Sequence, residues 1–466
     1  MDAHWRKRSL RAADAVGGGA DGLRTATAAY HPVVASKPSV RDVLVVGAGP
    51  AGAACAYWLA DAGWDVVVVE KKHFPREKTC GDGLTPRSVR QLTDMGLAGA
   101  LAGAHRYRGL RSCAYGMTIE LPWPQHPSFP DVGYVITRHD LDHLVAERAA
   151  KAGAELLQGT EAAEPLLAGS SRLADRAPAT DGQLPTCTGA LVVDRTTHKT
   201  RELKARYVVV ADGANSRFGR ALGTVRDRRY PLGMALRGYF RSPRHDDEFI
   251  ESHLDIRDPA GRVLPGYGWV FPLGDGRVNV GVGLLSAEGR FKGVNTSHLM
   301  NHFLDHAPKS WALSAEASLG PPTGGKLAMG LSVAPRAGST TLAVGDAAGA
   351  INPFNGEGIA YGYETGRLAA WCIGRALSGE GEAALQDYER TLQDAYGLYY
   401  QVARDFVQMI SHPRVMELCV RTGMHSEPIM AVLLKIMANL MRPDERGTAE
   451  ISYQALASVA KAVPGW

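Results

Sequence analysis

A cysteine stands among glycines at residues 78–84, which read KTCGDGL. Glycine permits positive backbone φ and carries no side chain, so this loop can approach a planar ring closely. A thiol adds a polarisable, weakly acidic group. We therefore predict that Cys80, Gly81, Asp82 and Gly83 lie against a cofactor ring, with Cys80 as the candidate catalytic residue. Packing is the alternative role for Cys80, because a small buried cysteine can simply fill space.

A dinucleotide-binding turn precedes this loop. An apolar run at residues 43–46, suited to a buried parallel strand, leads into GAGPAG at 47–52 and then a helical pattern. In such a unit the first glycine makes the turn, the second admits pyrophosphate and the third lets helix pack on strand. A second buried strand closes on Glu70, whose carboxylate can accept ribose hydroxyls. The predicted contacts to this half of the cofactor are Gly47, Gly49, Pro50, Ala51, Gly52, Glu70 and Lys71.

Two later segments favour FAD over NAD. Residues 207–216 read YVVVADGANS, a buried strand ending in an Asp-Gly turn, and residues 341–348 read TLAVGDAA. Asp346 can accept hydrogen bonds from ribityl hydroxyls, and a helix beginning near Gly358 can aim its positive end at the flavin pyrimidine. A surface turn would be the simpler interpretation of either segment alone. Together they assign Asp212, Asp346, Gly358 and Ile359 to FAD binding.

Three aromatic residues alternate along a predicted strand at residues 267–272, which read YGWVFP. A period of two places Tyr267, Trp269 and Phe271 on one face, where their rings can line a slot for a long apolar chain. From the pattern alone, an ordinary sheet core is equally expected.

The order of these motifs resembles that of flavoproteins with the p-hydroxybenzoate hydroxylase fold, over about residues 41–376. Residues 134–141, YVITRHDL, resemble the segment of that family in which an arginine contacts the flavin. The resemblance implies this role for Arg138. The alternative is an ion pair with Asp142 or Glu147 on the following helix.

Two motifs resemble the geranylgeranyl reductase family. CGDGLTPR at 80–87 is similar to that family's CGxG loop beside the isoalloxazine ring. YGWVFP, followed by the Gly-Val-Gly that begins at residue 281, resembles its YxWxFP and GxG substrate motif. The resemblance implies that a prenyl substrate contacts Tyr267, Trp269, Phe271, Pro272, Gly281 and Gly283.

Within that family, residues 78–87, 264–269 and 352–359 resemble the actinobacterial menaquinone reductases. This implies an FAD-dependent reductase that saturates a C=C bond in the isoprenoid tail of a lipid, with menaquinone as the expected substrate. Three alternatives stay open: reduction of another prenyl lipid or diphosphate, FAD-dependent aromatic monooxygenation, and non-enzymatic prenyl binding. A second nucleotide motif is not visible, so the electron donor is unidentified.

The predicted fold class is α/β. We expect an FAD-binding, doubly wound (Rossmann-like) domain interleaved with an antiparallel-sheet substrate domain, plus a helical C-terminal region. The predicted parts are a disordered arm at 1–40, the FAD-binding domain at 41–110, 137–225 and 330–376, the substrate domain at 111–136 and 226–329, and the helical region at 377–466.

Composition limits the partners. A formal net charge of +4 in 466 residues gives little reason to expect nucleic acid. The six cysteines show no metal-ligand spacing, so no metal site is predicted and the thiols read as reduced and cytoplasmic.

One apolar segment, residues 429–441, has two interpretations. An interfacial helix would lie on the membrane with Lys435, Arg442 and Arg446 near the headgroups. A helix buried against the flavin domain explains the same pattern. No apolar run reaches the roughly 18 residues of a membrane span. We expect a cytoplasmic protein, peripheral on the inner face of the cell membrane, with the membrane surface and a prenyl lipid as partners.

Overall fold

The structure of the protein, a computed structural model, describes residues 40–169, 184–258, 260–286, 295–442 and 445–462. The arm predicted at 1–40 lies outside these residues except for its last position, Val40, which is the first residue of a strand.

The described residues form nineteen β-strands, and eleven α-helices accompany them. The strands are β1 Val40–Val46, β2 Val66–Glu70, β3 Gly83–Leu84, β4 His105–Tyr107, β5 Gly109–Ala114, β6 Met117–Pro122, β7 Gly133–Val135, β8 Glu155–Gln158, β9 Thr160–Leu167, β10 Cys187–Asp194, β11 Thr200–Val210, β12 Val225–Arg226, β13 Leu232–Arg241, β14 Phe249–His253, β15 Gly266–Pro272, β16 Arg277–Ser286, β17 Thr323–Ala328, β18 Val333–Ala334 and β19 Thr341–Ala343. The helices are α1 Pro50–Asp61, α2 Pro86–Asp94, α3 Arg138–Lys151, α4 Arg217–Ala221, α5 Thr296–His306, α6 Ile359–Arg375, α7 Glu382–Leu392, α8 Leu398–Ile410, α9 Pro413–Met424, α10 Glu427–Met437 and α11 Thr448–Ala462.

The first sheet has seven strands in the order β8-β2-β1-β11-β10-β9, with β19 also paired to β11. Strands β8, β2, β1, β11 and β19 run parallel, whereas β10 and β9 are antiparallel additions. Alternate residues of β1 face opposite layers. Val43 and Val45 pack against the cluster that contains α1 and α6, and Leu44 and Val46 pack against the cluster that contains Phe218 of α4. This arrangement confirms the predicted doubly wound fold.

The second sheet has the order β17-β13-β16-β15-β14-β5-β6. Its neighbours are antiparallel except for β14 and β5, which run parallel. Valines of β15 and β16 form the back of this sheet and pack against Phe303 of α5 and Trp311. The front carries Phe271 and Tyr239, which pack against a cluster that includes residues of α10.

The C-terminal helices bear on the two interpretations of residues 429–441. In α10, Met430, Leu434 and Ile436 are buried. Lys435 lies 2.7 Å from Glu450, and Arg442 is paired with Glu445, so these two cations are engaged within the protein. The structure therefore favours the second interpretation of residues 429–441, a buried helix, because these apolar side chains pack against the rest of the protein. Contacts group Val40–Trp466 into one compact unit, and the domain boundaries stay a prediction.

Candidate active site

The glycine turn after β1 has the geometry that a bound dinucleotide requires. Gly47 has a φ of +101°, and a Cβ on it would lie 2.5 Å from the backbone oxygen of Ala211. A Cβ on Gly52 would lie 1.9 Å from the backbone oxygen of Gly47, so only glycine lets α1 approach the turn. Gly49 caps α1 without a capping side chain, and Pro50 occupies the first turn. The N–H groups at the positive end of α1 are therefore available to an anion.

Glu70, at the end of β2, accepts hydrogen bonds from the backbone N–H groups of Ala48 (3.2 Å) and Lys72 (3.1 Å). Arg76 lies 3.2 Å from the same carboxylate and 2.8 Å from Asp142. A Cβ on Gly49 would lie 3.9 Å from the Arg76 guanidinium, so a cation stands beside the glycine turn. Sequence analysis missed Arg76, because nothing local marks it. Lys71, predicted beside Glu70, is exposed.

Arg138 forms the ion pair that was its alternative interpretation. Its Nε and Nη2 donate to the two oxygens of Asp142, at 2.6 and 2.8 Å, and both side chains are buried. Its guanidinium nevertheless faces Cys80. Burial raises the pKa of the Cys80 thiol above its usual range, and the charge of Arg138 opposes that rise. The cysteine is therefore held as a neutral thiol beside a fixed cation.

Asp82 shapes the cysteine loop. It has a φ of +65° and is fully buried. Its carboxylate accepts hydrogen bonds from Tyr239 (2.5 Å), from Asn279 (2.8 Å) and from the backbone N–H of Arg138 (3.3 Å). Burial raises the pKa of Asp82 to about 6, although these partners hold it down. The loop is thus tied to β13, β16 and α3 at one residue.

Asn279 joins the loop to the aromatic strand. Its Nδ2 donates to the backbone oxygen of Cys80 at 2.9 Å as well as to Asp82, and its Oδ1 accepts from Nε1 of Trp269 at 2.9 Å. Sequence analysis missed Asn279 and Tyr239. The one available signal was that Asn279 lies two residues before Gly281, and therefore on the same strand face.

The three aromatic rings do form one continuous strip. Ring centroids are 5.8 Å apart for Tyr267 and Trp269, and 6.2 Å apart for Trp269 and Phe271. Trp269 is only 5% exposed and fills the space above Gly281, where a Cβ would lie 2.2 Å from its Cζ2. Tyr267 and Phe271 keep part of their surface open. Trp269 is thus sheet core, and the two outer rings are available to a ligand.

The predicted loop and the predicted strip meet directly. Cβ atoms on Gly81 and Gly83 would lie 3.1 and 3.2 Å from Cε2 of Phe271. The other predicted positions lie on the two strands that carry and flank the aromatic residues. Gly283 pairs with Tyr267 across β15 and β16, and Pro272 ends β15. The structure therefore brings the cysteine loop and the aromatic strand, far apart in the chain, into one site.

The segment before α6 closes the site. The Tyr267 hydroxyl donates to the backbone oxygen of Asn355 at 2.9 Å. Gly358 caps α6 without a capping side chain, and a Cβ on it would lie 3.4 Å from Oδ1 of Asp346. Ile359, the first residue of α6, is buried. Asp346 and the positive end of α6 therefore stand together, as FAD binding requires.

Asp212 lies at the other end of the glycine turn, with its Cα 3.2 Å from the Cβ position of Gly47. Its Oδ2 accepts from the backbone N–H of Phe218 at 3.1 Å. Among the described residues its buried Oδ1 has no hydrogen-bond partner. This orphaned oxygen, together with the uncapped N-termini of α1 and α6, fits a dinucleotide that carries hydroxyls and phosphates.

Glu357 was not predicted from the sequence. Its Oε1 accepts hydrogen bonds from the hydroxyls of Thr85 and Ser88, and its Oε2 is shielded and lacks a partner among the described residues. Burial raises the pKa of Glu357 to about 7, with Thr85 and the charge of Arg87 opposing the rise and the charge of Glu364 adding to it. A carboxyl group that titrates near neutrality thus links α2 to the segment before α6.

A second group of polar side chains lies outside this site. Cys113 of β5 and Glu251 and His253 of β14 bring one ligand-type atom each within 4.8 Å of one another. Glu251 is already bound by Trp311 (2.8 Å) and Arg111 (3.3 Å). Glu251 and His253 flank Ser252 on β14 and share one face, and Cys113 of β5 pairs directly with His253.

Comparison with known proteins agrees with this geometry. A family model described as an FAD binding domain matches residues 41–236. The chain is 40% identical over 404 residues to the menaquinone reductase of Mycolicibacterium smegmatis, covering 87% of this chain and 93% of that protein. It is 30% identical over 374 residues to digeranylgeranylglycerophospholipid reductase 1 of Methanopyrus kandleri, covering 79% and 90%.

A solved structure shares the fold. The geranylgeranyl bacteriochlorophyll reductase-like protein of Thermoplasma acidophilum superposes with a TM-score of 0.66 at 21% identity, covering 91% of this chain and 99% of that one. At this identity the likeness concerns the fold alone.

Proposed function

The chain belongs to the geranylgeranyl reductase family of FAD-dependent oxidoreductases, and we propose on that basis that it saturates a C=C bond in the isoprenoid tail of menaquinone. FAD binding and reduction of C=C bonds follow from the family. The menaquinone substrate is the proposal. The observation that carries the proposal is the meeting of the Cys80 loop with Phe271 and Trp269, which gives this loop an aromatic wall.

We assign the predicted cofactor residues to the two ends of FAD. Gly47, Gly49 and Gly52 admit the pyrophosphate at α1, with Arg76 as an added cation. Asp346 and Gly358 hold the flavin end at α6. When bound and reduced at these residues, FAD would supply the hydride for reduction of the alkene.

The protein's own residues handle the other half of the addition. An isolated trisubstituted alkene is not polarised, so its second carbon must take a proton as positive charge develops there. The open faces of Tyr267 and Phe271 stabilise that charge and keep water away. Cys80 holds its proton because burial raises the pKa of the thiol, and it stands on the loop that faces Phe271. We assign it proton delivery or alignment of the alkene.

The lipid substrate requires contact with a membrane, which we place at α11 on the inner face of the cell membrane. Among the described residues, no helix is both long enough and apolar enough to cross a bilayer. Ile451, Leu456 and Val459 of α11 are exposed, and the exposed residues between Ile451 and Val459 carry no charge. Exposed Arg446 and Lys461 flank this face and suit anionic headgroups. Val459→Glu should weaken sedimentation with anionic vesicles, and unchanged sedimentation would contradict this contact.

The relative from Methanopyrus favours one second candidate, a geranylgeranyl group on another lipid. Anaerobic incubation of dithionite-reduced protein with menaquinone and, separately, with geranylgeranyl lipids separates the two. After the headgroup has been reoxidised to the quinone in air, mass spectrometry should show a gain of two hydrogens in the tail of menaquinone. A gain only in the geranylgeranyl lipids would overturn the menaquinone assignment, and no gain in either would overturn the function. The electron donor in the cell is a separate question. Comparing NAD(P)H with ferredoxin-like donors in the same assay answers it.

A further inference from the structure

Glu357 lies between the two segments to which we assign the flavin. It directly precedes Gly358, which caps α6. Its carboxylate accepts hydrogen bonds from the hydroxyls of Thr85 and Ser88. Thr85 follows Gly83 of the cysteine loop by two residues. One side chain therefore links the end of that loop to the start of α6.

The turn that carries Glu357 also borders the aromatic strip. Residues 355–358 are partly exposed, whereas the residues on either side of them are buried. The Tyr267 hydroxyl donates to the backbone oxygen of Asn355 at 2.9 Å, and a Cβ on Gly356 would lie 3.7 Å from the same hydroxyl. This turn therefore forms part of the surface against which we place the flavin.

Ionisation of Glu357 changes the net charge at this end of α6. Among the described residues, its Oε2 is shielded and has no hydrogen-bond partner. Arg87 faces Glu357, but its Nε lies 2.7 Å from Oε1 of Glu364, and that ion pair is neutral overall. Three tyrosines also face the carboxyl group, and burial raises the pKa of each: Tyr107 of β4, Tyr361 of α6 and Tyr399 of α8. An ionised Glu357 therefore adds a net negative charge.

This ionisation falls near neutral pH. Burial raises the pKa of Glu357 from 4.5 to about 7, so the carboxyl group is neutral below that pH and negative above it. A reduced flavin carries negative charge on its pyrimidine, which the positive end of a helix stabilises. Two negative charges about 10 Å apart, at an effective dielectric constant of about 20, repel enough to change an equilibrium constant roughly tenfold. The charge on Glu357 therefore opposes reduction of a flavin at α6.

We propose that the negative charge of Glu357 lowers the reduction potential of the bound flavin and so makes the reduced flavin a stronger hydride donor. This inference rests on the flavin position assigned under the proposed function. An isolated alkene is a poor hydride acceptor, because no neighbouring group polarises it, and a stronger donor favours the transfer. Glu357 acts through the flavin rather than on the alkene, and its effect grows as pH rises.

The midpoint potential of the FAD-loaded protein, measured on both sides of pH 7 against redox dyes, tests the proposal. Glu357→Gln keeps the shape of the protonated side chain and cannot ionise. Below pH 7 the variant and the unsubstituted protein should have the same potential. Above pH 7 the unsubstituted protein should be lower by about 30 mV, the equivalent of a tenfold change for a two-electron couple.

Ser88→Ala is a second test that keeps the carboxyl group. The Ser88 hydroxyl donates to Oε1 of Glu357 at 3.2 Å and stabilises the ionised form. Its loss should therefore move the fall in potential to higher pH. Glu382→Gln, at an exposed position of α7, is the control and should follow the unsubstituted protein at every pH.

Equal potentials for Glu357→Gln and the unsubstituted protein at every pH would overturn the inference, and so would a difference that is the same at every pH. If Glu357→Gln does not retain FAD, Ser88→Ala decides, and an unmoved pH dependence in that variant would overturn the inference. No quinone is present in these measurements. Failure to reduce menaquinone or a geranylgeranyl lipid would therefore contradict the proposed function without altering the potentials.

Discussion

At the scale of single residues, the proposed site holds two groups whose pKa is raised by burial. Cys80 is kept neutral by burial, and Glu357 titrates near neutrality. They differ in position. Cys80 lies on the loop that faces Phe271, whereas Glu357 is tied to Thr85 and Ser88 at the start of α2. Cys80 is therefore our candidate for contact with the alkene. Glu357 is our candidate for a residue whose protonation state affects the stability of the fold.

We expect Cys80→Ala to lower turnover by about 100-fold, as loss of a general acid does, while FAD content stays unchanged. Flavin absorbance and anaerobic single-turnover reduction of menaquinone measure the two quantities. Cys80→Ser, which keeps a proton donor of similar size, should retain more activity than the alanine variant. Full activity in Cys80→Ala would leave packing as the only role of this side chain.

Glu357→Gln should change how stability depends on pH. The pKa of Glu357 is raised from 4.5 to about 7, so the folded state prefers the protonated form. That contribution is fully present below pH 4.5 and is lost as pH rises through about 7. The free energy of unfolding of the unsubstituted protein should therefore fall relative to the variant over this window, by up to roughly 3 kcal/mol.

Urea unfolding at several pH values measures this difference. Glu382→Gln, at an exposed position in the first turn of α7, serves as the control and should follow the unsubstituted protein. Parallel curves for Glu357→Gln and the unsubstituted protein would show that the pKa of Glu357 is the same in the folded and unfolded states.

At the scale of elements, the glycines of β16 leave room for the aromatic strand. Trp269 and Gly281 are directly paired, and the indole occupies the space where a side chain would stand. The same indole donates to Asn279, which holds the cysteine loop. The position of the loop thus depends on the packing of two neighbouring strands.

Gly281→Ala and Gly283→Ala form a matched pair of tests. A Cβ at Gly281 would lie 2.2 Å from Trp269 and 2.6 Å from the backbone oxygen of Leu236, whereas the nearest atom at Gly283 is 3.6 Å away. Gly281→Ala should destabilise the protein by about 1–3 kcal/mol and lower activity as the indole shifts. Gly283→Ala should stay within about 0.5 kcal/mol. Urea unfolding measures the change in stability of each variant, and tryptophan fluorescence reports a shift of the indole. Equal effects of the two substitutions would contradict the role given to Gly281.

At the scale of the whole molecule, the C-terminal helices complete the core in front of the second sheet. Met424, Met430, Leu434 and Leu440 share a buried cluster with Trp123 and Leu121. The membrane contact that we propose lies on α11, beyond this cluster. Under that proposal, membrane contact and core packing belong to different helices.

Leu434→Ala and Leu418→Ala test whether α10 belongs to the core. Leu434 is 8% exposed and Leu418 is 67% exposed. Removing the buried side chain should lower the free energy of unfolding by about 2–5 kcal/mol, because a cavity is left behind. Leu418→Ala should change it by less than about 0.5 kcal/mol. Thermal or urea unfolding measures both changes. An unchanged free energy of unfolding for Leu434→Ala would mean that α10 is not part of the core.

The local motifs were predictable because each is encoded within a few residues. The turn at Gly47, Gly49 and Gly52 and the alternation of Tyr267, Trp269 and Phe271 follow from spacing alone. The contacts of Arg138 could not be decided in this way, since an ion pair with Asp142 and contact with the flavin both suit its position. The structure shows the ion pair.

The sequence by itself determined the fold class, the FAD-binding turn and the two segments of the reacting site, because periodicity, glycine spacing and strand alternation are local properties of the chain. Only the tertiary structure decided what joins them. Asn279 bridges Cys80, Asp82 and Trp269 across about 200 residues of chain, and Glu357 reaches Thr85 in the same way. Such partners leave no local pattern, because a hydrogen bond between distant segments depends on how whole sheets and helices pack.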